Sequence, residues 1–202
     1  MASQSRSLTE EEVNKYLGVF ELWEKLISRL AIFEGMRPGE ILALRWKVVR
    51  KYALTVEQRV YKRVFDTPKN GKTREVAISD WTWGLLMEWR GLAEDPNPEG
   101  LVFPSEALTT PFSADNLWRR TMQPKLAKVG LGWATFQLLR KTNASLSKKC
   151  GVDPKVASDQ RGHGIGVSMD VYTSSDLEQK RAAVNKLEAA VFRKSQPLKR
   201  SA

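Results

Sequence analysis

Apolar positions recur at helical spacing from the start of the chain. Thr9 and Glu12 form a capping-box pattern ahead of Val13, Tyr16 and Leu17. Leu22, Leu26, Ile27, Leu30 and Phe33 continue the helical period and predict a second helix over roughly Glu21–Glu34, ended by Gly35. Pro38 suits a first helical position, so Glu40–Arg45 reads as a short helix. The period then drops to two. Lys47–Val49, Leu54–Lys62 and Arg74–Ile78 read as strands, and Asn70-Gly71 is a hairpin-turn signal between the last two. Helical spacing resumes over Trp81–Leu92 behind Ser79-Asp80, from Ser113 to about Lys128, over Phe136–Lys149, from Asp153-Pro154 to Gly162, and over Asp176–Phe192. The pattern predicts a mainly α fold with a small three-stranded antiparallel β-sheet inserted early.

The 202 residues suffice for one sizeable core, and 42% of them are hydrophobic, seven being Trp. Cys150 is the single cysteine and His163 the single histidine, so neither an intramolecular disulfide nor a site with two His ligands can form. No apolar run is long enough to span a membrane, and Met1–Leu8 lacks a signal-peptide core. The formal charge of +10 favours an anionic partner, nucleic acid before an acidic membrane.

Several residues sit where function rather than packing could have placed them. Arg37 stands between a glycine cap and a helix N-terminus, a position that already favours phosphate. Lys69 lies in Thr67-Pro68-Lys69-Asn70-Gly71-Lys72, at a turn tip from which it can reach a neighbouring site. Arg140 shares a helix face with Gln137, Lys141 and Ala144, away from Leu139, Thr142 and Leu146, which are expected to face the core. His163 follows Gly162, and Tyr172 lies nine residues further on. Singly, each reads best as an ordinary surface or structural side chain.

Their order and spacing are distinctive together. Gly35-x-Arg37-x-x-Glu40, then Leu42-x-Leu44-Arg45-Trp46, a turn-tip lysine, Leu139-Arg140-x-Thr142, Gly162-His163 and finally Tyr172 resemble the catalytic domain of the tyrosine recombinase (phage integrase) family. The resemblance runs from Leu8-Thr9 to the last helix. It implies a catalytic set of Arg37, Lys69, Arg140, His163 and Tyr172, with Gln137 where the family has a histidine and Arg161 where it has a leucine. Glutamine donates a hydrogen bond but exchanges no proton near neutral pH, which implies a slower enzyme rather than a dead one. Arg161 is expected to lie outside the reacting centre and to add a DNA contact.

The implied activity is site-specific cleavage and rejoining of DNA through a 3′-phosphotyrosine at Tyr172, with no cofactor and no metal. Arg119, Arg120, Lys141, Lys148 and Arg161 are the expected DNA-contacting cations, with Lys149 beside them. Glu40 is expected to be a structural partner rather than a ligand. The implied partners are double-stranded DNA and, on DNA, further recombinase subunits, the isolated domain being monomeric, without membrane contact, in a bacterial or phage cytoplasm. The rival readings are an inactive DNA binder of the same fold, a type IB topoisomerase-like enzyme and a basic RNA-binding domain. Residues 1–7 are expected to be a disordered leader, 8–193 the catalytic domain and 194–202 a flexible basic tail. No segment matches the family's N-terminal core-binding domain. The apolar stripe of the last helix, Leu177, Val184, Leu187 and Val191, suits docking on a neighbouring subunit or folding back on its own chain.

Overall fold

A computed structural model describes residues 6–68, 71–92, 97–105, 110–162 and 177–192. The capping box forms as the sequence indicates. Thr9 Oγ1 accepts from the Glu12 amide at 3.1 Å and Glu12 Oε2 accepts from the Thr9 amide at 2.9 Å, starting α1 (Glu10–Gly18). Helix α2 (Leu22–Ile32) is buried on nearly every side and forms the spine of the domain. Gly35 ends it in the left-handed region, φ +69°. Arg37 then caps the single-turn α3 (Pro38–Ile41).

Strands β1 (Val49–Arg50), β2 (Ala53–Val56) and β5 (Arg74–Ala77) make an antiparallel sheet in the order β1-β2-β5, with Ala53 opposite Ala77 and Val56 opposite Arg74. Two expectations need correction here. Lys47 and Val48 belong to a 3₁₀ turn, Trp46–Val48, and only Val49 of the expected first strand is extended in the sheet. The single strand expected over Leu54–Lys62 is broken at Glu57 and Gln58, where the Gln58 side chain donates to the Ala43 carbonyl at 2.7 Å. Its second half, β3 (Arg59–Tyr61), pairs instead with β4 (Val64–Asp66) in a separate two-stranded hairpin. The tight turn of that hairpin is Lys62-Arg63. Gly71 has the positive φ expected of a turn residue (+66°) in the connection between β4 and β5. Lys69 and Asn70 lie outside the described residues.

Helix α4 (Asp80–Leu92) begins after Ser79, whose hydroxyl accepts from the Thr82 amide. The helix expected from Ser113 is present, but its middle is widened. α5 (Ala114–Asn116) passes into π-helical Leu117–Met122 and then α6 (Gln123–Ala127). Pro124 explains this. It has no amide hydrogen and its ring crowds the carbonyl four residues back, which a widened preceding turn accommodates. Helix α7 (Phe136–Lys149) packs on α2 through Leu139, Thr142 and Leu146, all buried. Helix α8 (Pro154–Arg161) is capped by Asp153 and closed by Gly162 at φ +63°.

Helix α9 (Leu177–Phe192) lies on its own chain, against β5, α1 and α8. Val184, Leu187 and Val191 are buried, Leu177 half-buried. Glu188 is ion-paired with the buried Arg29 of α2 and accepts from Ser79 Oγ at 3.0 Å. Asn14 reaches the Val191 carbonyl. No described helix is long and apolar enough to cross a membrane.

Candidate functional site

The helix ends of this fold converge on one wall. The N-terminus of α3, strand β3, α5 with the π-helical turn after it, the exposed face of α7 and the end of α8 surround an open concavity of about 890 Å³. Arg37, Arg140, Arg161, Arg119 and Lys141 line it, against one carboxylate, Asp115. Gln137 and Ala144 line it too, on the same α7 face as Arg140 and Lys141.

Arg140 is held by main chain. One guanidinium nitrogen donates to the Gly35 carbonyl and the other to the Arg161 carbonyl, the latter at 2.6 Å. Both acceptors are at helix C-terminal ends, where the backbone dipoles favour a cation. Burial, and after it the charge of Arg37, push the Arg140 guanidinium down to about 9, with Glu40 pulling the other way. An arginine in this position still carries its charge at neutral pH. The shift is first the cost of keeping a guanidinium half out of water and second the repulsion from Arg37 beside it.

Arg37 is held by side chain. Its amide donates to Glu40 Oε2 and its guanidinium to Glu40 Oε1, both at 2.9 Å, and it reaches the Gly162 carbonyl at 3.4 Å. Glu40 is buried, as expected of a structural partner. Arg74 of β5 grips the same carboxylate in forked fashion, at 3.0 and 2.6 Å. Burial raises the Glu40 carboxyl, but Arg74 and then Arg37 outweigh it and hold the group below the usual glutamate range.

Three glycines let these parts meet. A Cβ at Gly35 would stand 2.7 Å from Arg161 Cγ and 2.9 Å from Asn143 Oδ1. At Gly162 it would strike the Arg74 guanidinium at 2.6–2.8 Å, and at Gly39 the Val60 carbonyl oxygen at 2.5 Å. The end of α8 is fixed to the sheet by Gln160, which accepts from the Ala77 amide (3.1 Å) and donates to its carbonyl (2.8 Å).

The structure therefore brings Arg37, Arg140 and Gln137 together, with Arg119, Lys141 and Arg161 around them. Arg161 stands closer than the sequence suggests. It lines the concavity, donates to Asn143 Oδ1 at 3.2 Å and offers its carbonyl to Arg140. Lys148 is exposed about 10 Å further along the α7 face that carries Lys141, from 1.5 Å per residue. Arg120 is exposed in the π-helical stretch and does not line the concavity. Lys149 is turned away and paired with Glu10 at 2.6 Å. Lys69, His163 and Tyr172 lie outside the described residues.

Arg74 was not singled out from sequence. The signal was Glu40 itself, since a carboxylate in that pattern, if buried, needs cations beyond Arg37. Tyr61 and Trp118, which also line the concavity, carried no motif.

This fold, with two arginines from separate elements facing one basic hollow, is that of tyrosine recombinase catalytic domains. The chain belongs to the phage integrase family, whose profile matches residues 6–179. It is 25% identical to a XerC-like tyrosine recombinase of Caldanaerobacter subterraneus subsp. tengcongensis, over 92% of this chain and 54% of that protein, so it spans about half the length of that relative. Among solved structures, the Tn1549 transposon integrase in complex with a circular intermediate DNA superposes with a TM-score of 0.69 at 14% identity, covering 92% of this chain and 67% of that one. The XerA recombinase gives 0.65 at 18% identity, over 95% and 65%. The XerH recombinase bound to its difH substrate gives 0.59 at 22%, over 95% and 55%.

Proposed function

We propose that this chain is the catalytic domain of a site-specific recombinase that cuts and rejoins DNA, with Tyr172 as nucleophile. The observation that carries the reading is the meeting of Arg37 and Arg140, 103 positions apart in sequence, on one wall of a concavity where cations outnumber carboxylates. Two guanidiniums placed in this way hold the non-bridging oxygens of a backbone phosphate and neutralise the charge that grows in the transition state.

The reaction we propose is the one the family resemblance implies. The Tyr172 hydroxyl gives its proton to solvent water as its oxygen attacks phosphorus, a phosphotyrosine bond to the 3′ phosphate forms, and the bond to the 5′ oxygen breaks. Lys69 gives the departing 5′ oxygen its proton, and His163 hydrogen-bonds the phosphate. A 5′ hydroxyl from another strand reverses the attack, so the ester conserves the bond and no external energy source enters. The roles of Lys69, His163 and Tyr172 rest on the family resemblance. Gln137, exposed on the α7 face one turn before Arg140, contributes a neutral hydrogen bond to the same phosphate. Arg119, Arg120, Lys141, Lys148 and Arg161 contact flanking phosphates. On DNA the chain works with further copies, and off DNA it is monomeric.

The test is covalent trapping. The chain is incubated with a library of nicked duplexes that lose a short strand on cleavage, and detergent-resistant protein–DNA adducts are collected. Adducts with the wild type, absent in Tyr172→Phe and depleted in Arg140→Ala, are expected. A library that yields no adduct, or adducts that persist in Tyr172→Phe, overturns the reading. Exchange between two sites recovered in this way separates a recombinase from a topoisomerase-like enzyme.

A further inference from the structure

The connection from β2 to β5 contains an arm that the two-arginine wall does not need. β3 and β4 pair in register, Val60 with Phe65 and Tyr61 with Val64, around the two-residue turn Lys62-Arg63. One face of the arm is anchored. Val60 is buried, and its carbonyl sits so close to Gly39 that any side chain there would collide with it. The other face is bare, with Tyr61 and Val64 each 65% exposed.

The turn is the unusual part. Lys62 and Arg63 have φ of +49° and +67°. Positive φ at both central residues is the habit of type I′ turns, which Asn-Gly adopts with little strain and long side chains adopt against their preference. Two cations held there in spite of that preference point to a use for the charges. The place of the arm says what use. Tyr61 lines the same concavity as Arg37 and Arg140, and Gly39, on which the arm rests, belongs to the helix that Arg37 caps.

We propose that the β3–β4 hairpin is a duplex-contacting arm. Lys62 and Arg63 hold backbone phosphates flanking the one gripped by the arginines, and Tyr61 with Val64 rests on sugar edges in the intervening groove. This rests on the DNA reading given above. Two cations at the tip, with an apolar pair directly behind them, suit a polyanion with apolar sugar faces, whereas the core of a protein–protein interface is depleted of charge. The rigid seat on Gly39 fixes how far from the central phosphate the arm meets the duplex.

The test uses the 202-residue chain and a mixed-sequence DNA duplex, with affinity measured across a salt series. The double substitution Lys62→Asn, Arg63→Gly restores the favoured turn residues, so the thermal midpoint stays level or rises. At the same time the slope of log affinity on log salt becomes shallower by about 1.8, or 0.9 for each phosphate that is no longer neutralised. Tyr61→Ala weakens binding about threefold at every salt concentration without changing the slope, as removal of an apolar, uncharged side chain requires. A photo-crosslinking residue in place of Tyr61 attaches to DNA. Wild type that binds duplex, and loses affinity in Arg37→Ala, while both hairpin variants bind like wild type, overturns the arm and leaves the proposed function standing. Crosslinks to a second protein chain instead of DNA also overturn it. Wild type with no affinity for duplex overturns the DNA reading itself.

Discussion

Glu40→Gln tests the central electrostatic claim. The carboxylate is 1% exposed and accepts four hydrogen bonds, two from Arg37 and two from Arg74. Glutamine keeps the shape but turns one acceptor into a donor that faces donors. About two charge-assisted bonds disappear at roughly 1.5–3 kcal/mol each. Sparing the chain the burial of a charge returns part of that, leaving a net loss of about 3 kcal/mol. For a domain of this size the melting midpoint should fall by roughly 6–12 °C, from about 2–4 °C per kcal/mol. Denaturant unfolding near neutral pH, read by circular dichroism, gives the free-energy loss directly. The pH dependence is an internal check. Because Arg74 and Arg37 hold the folded Glu40 carboxyl below its ordinary 4.5, its contribution is complete above that value and disappears as pH falls through the lowered one. The gap between wild type and variant should therefore close in acid. A loss below about 1 kcal/mol at neutral pH, or a gap that does not narrow in acid, would refute the assignment.

Three further outcomes follow from the same geometry. Gly39→Ala places a Cβ 2.5 Å from the Val60 carbonyl oxygen, backbone that cannot swing aside, so it should destabilise the domain by about 1–3 kcal/mol in denaturant unfolding; a neutral result sinks the close-approach argument. Gln137→His should raise the rate of adduct formation on nicked duplex without tightening duplex binding, and an unchanged rate removes proton handling from position 137. Glu34 is fully buried, and burial, opposed by Arg29, pushes its carboxyl up from 4.5 to about 7. The folded state thus binds that proton more tightly, a contribution complete below about pH 4.5 and lost as pH rises through about 7. Stability of wild type relative to Glu34→Gln should fall across that window, and a difference constant with pH would contradict it.

How much of this could be read from the chain depended on whether the signal was local. Helix α7 matches its periodicity from Phe136 to Lys149, because one face is buried and the other is not, and Arg140 falls on the open face for the same reason. The capping box at Thr9 and the glycine stop at Gly162 are local hydrogen-bond and dihedral requirements, and both are met. The break inside Leu54–Lys62 was hidden because the alternation of side chains runs straight through Glu57 and Gln58. The Lys62-Arg63 turn was hidden because its residues are the wrong ones for its dihedrals. The widened turn ahead of Pro124 required asking what a proline does to the preceding carbonyls. The Arg74–Glu40 pair joins residues 34 apart, and no periodicity carries that information.

The grip on Arg140 has one more implication. Its two fixed acceptors are the carbonyls of residues 35 and 161, so its aim is set by where two helices stop rather than by which side chains stand nearby. Position 161 can thus exchange a family leucine for an arginine and still present the same oxygen. A phosphate-facing wall built on chain geometry tolerates divergence in its surroundings, and chains with little sequence in common can keep it.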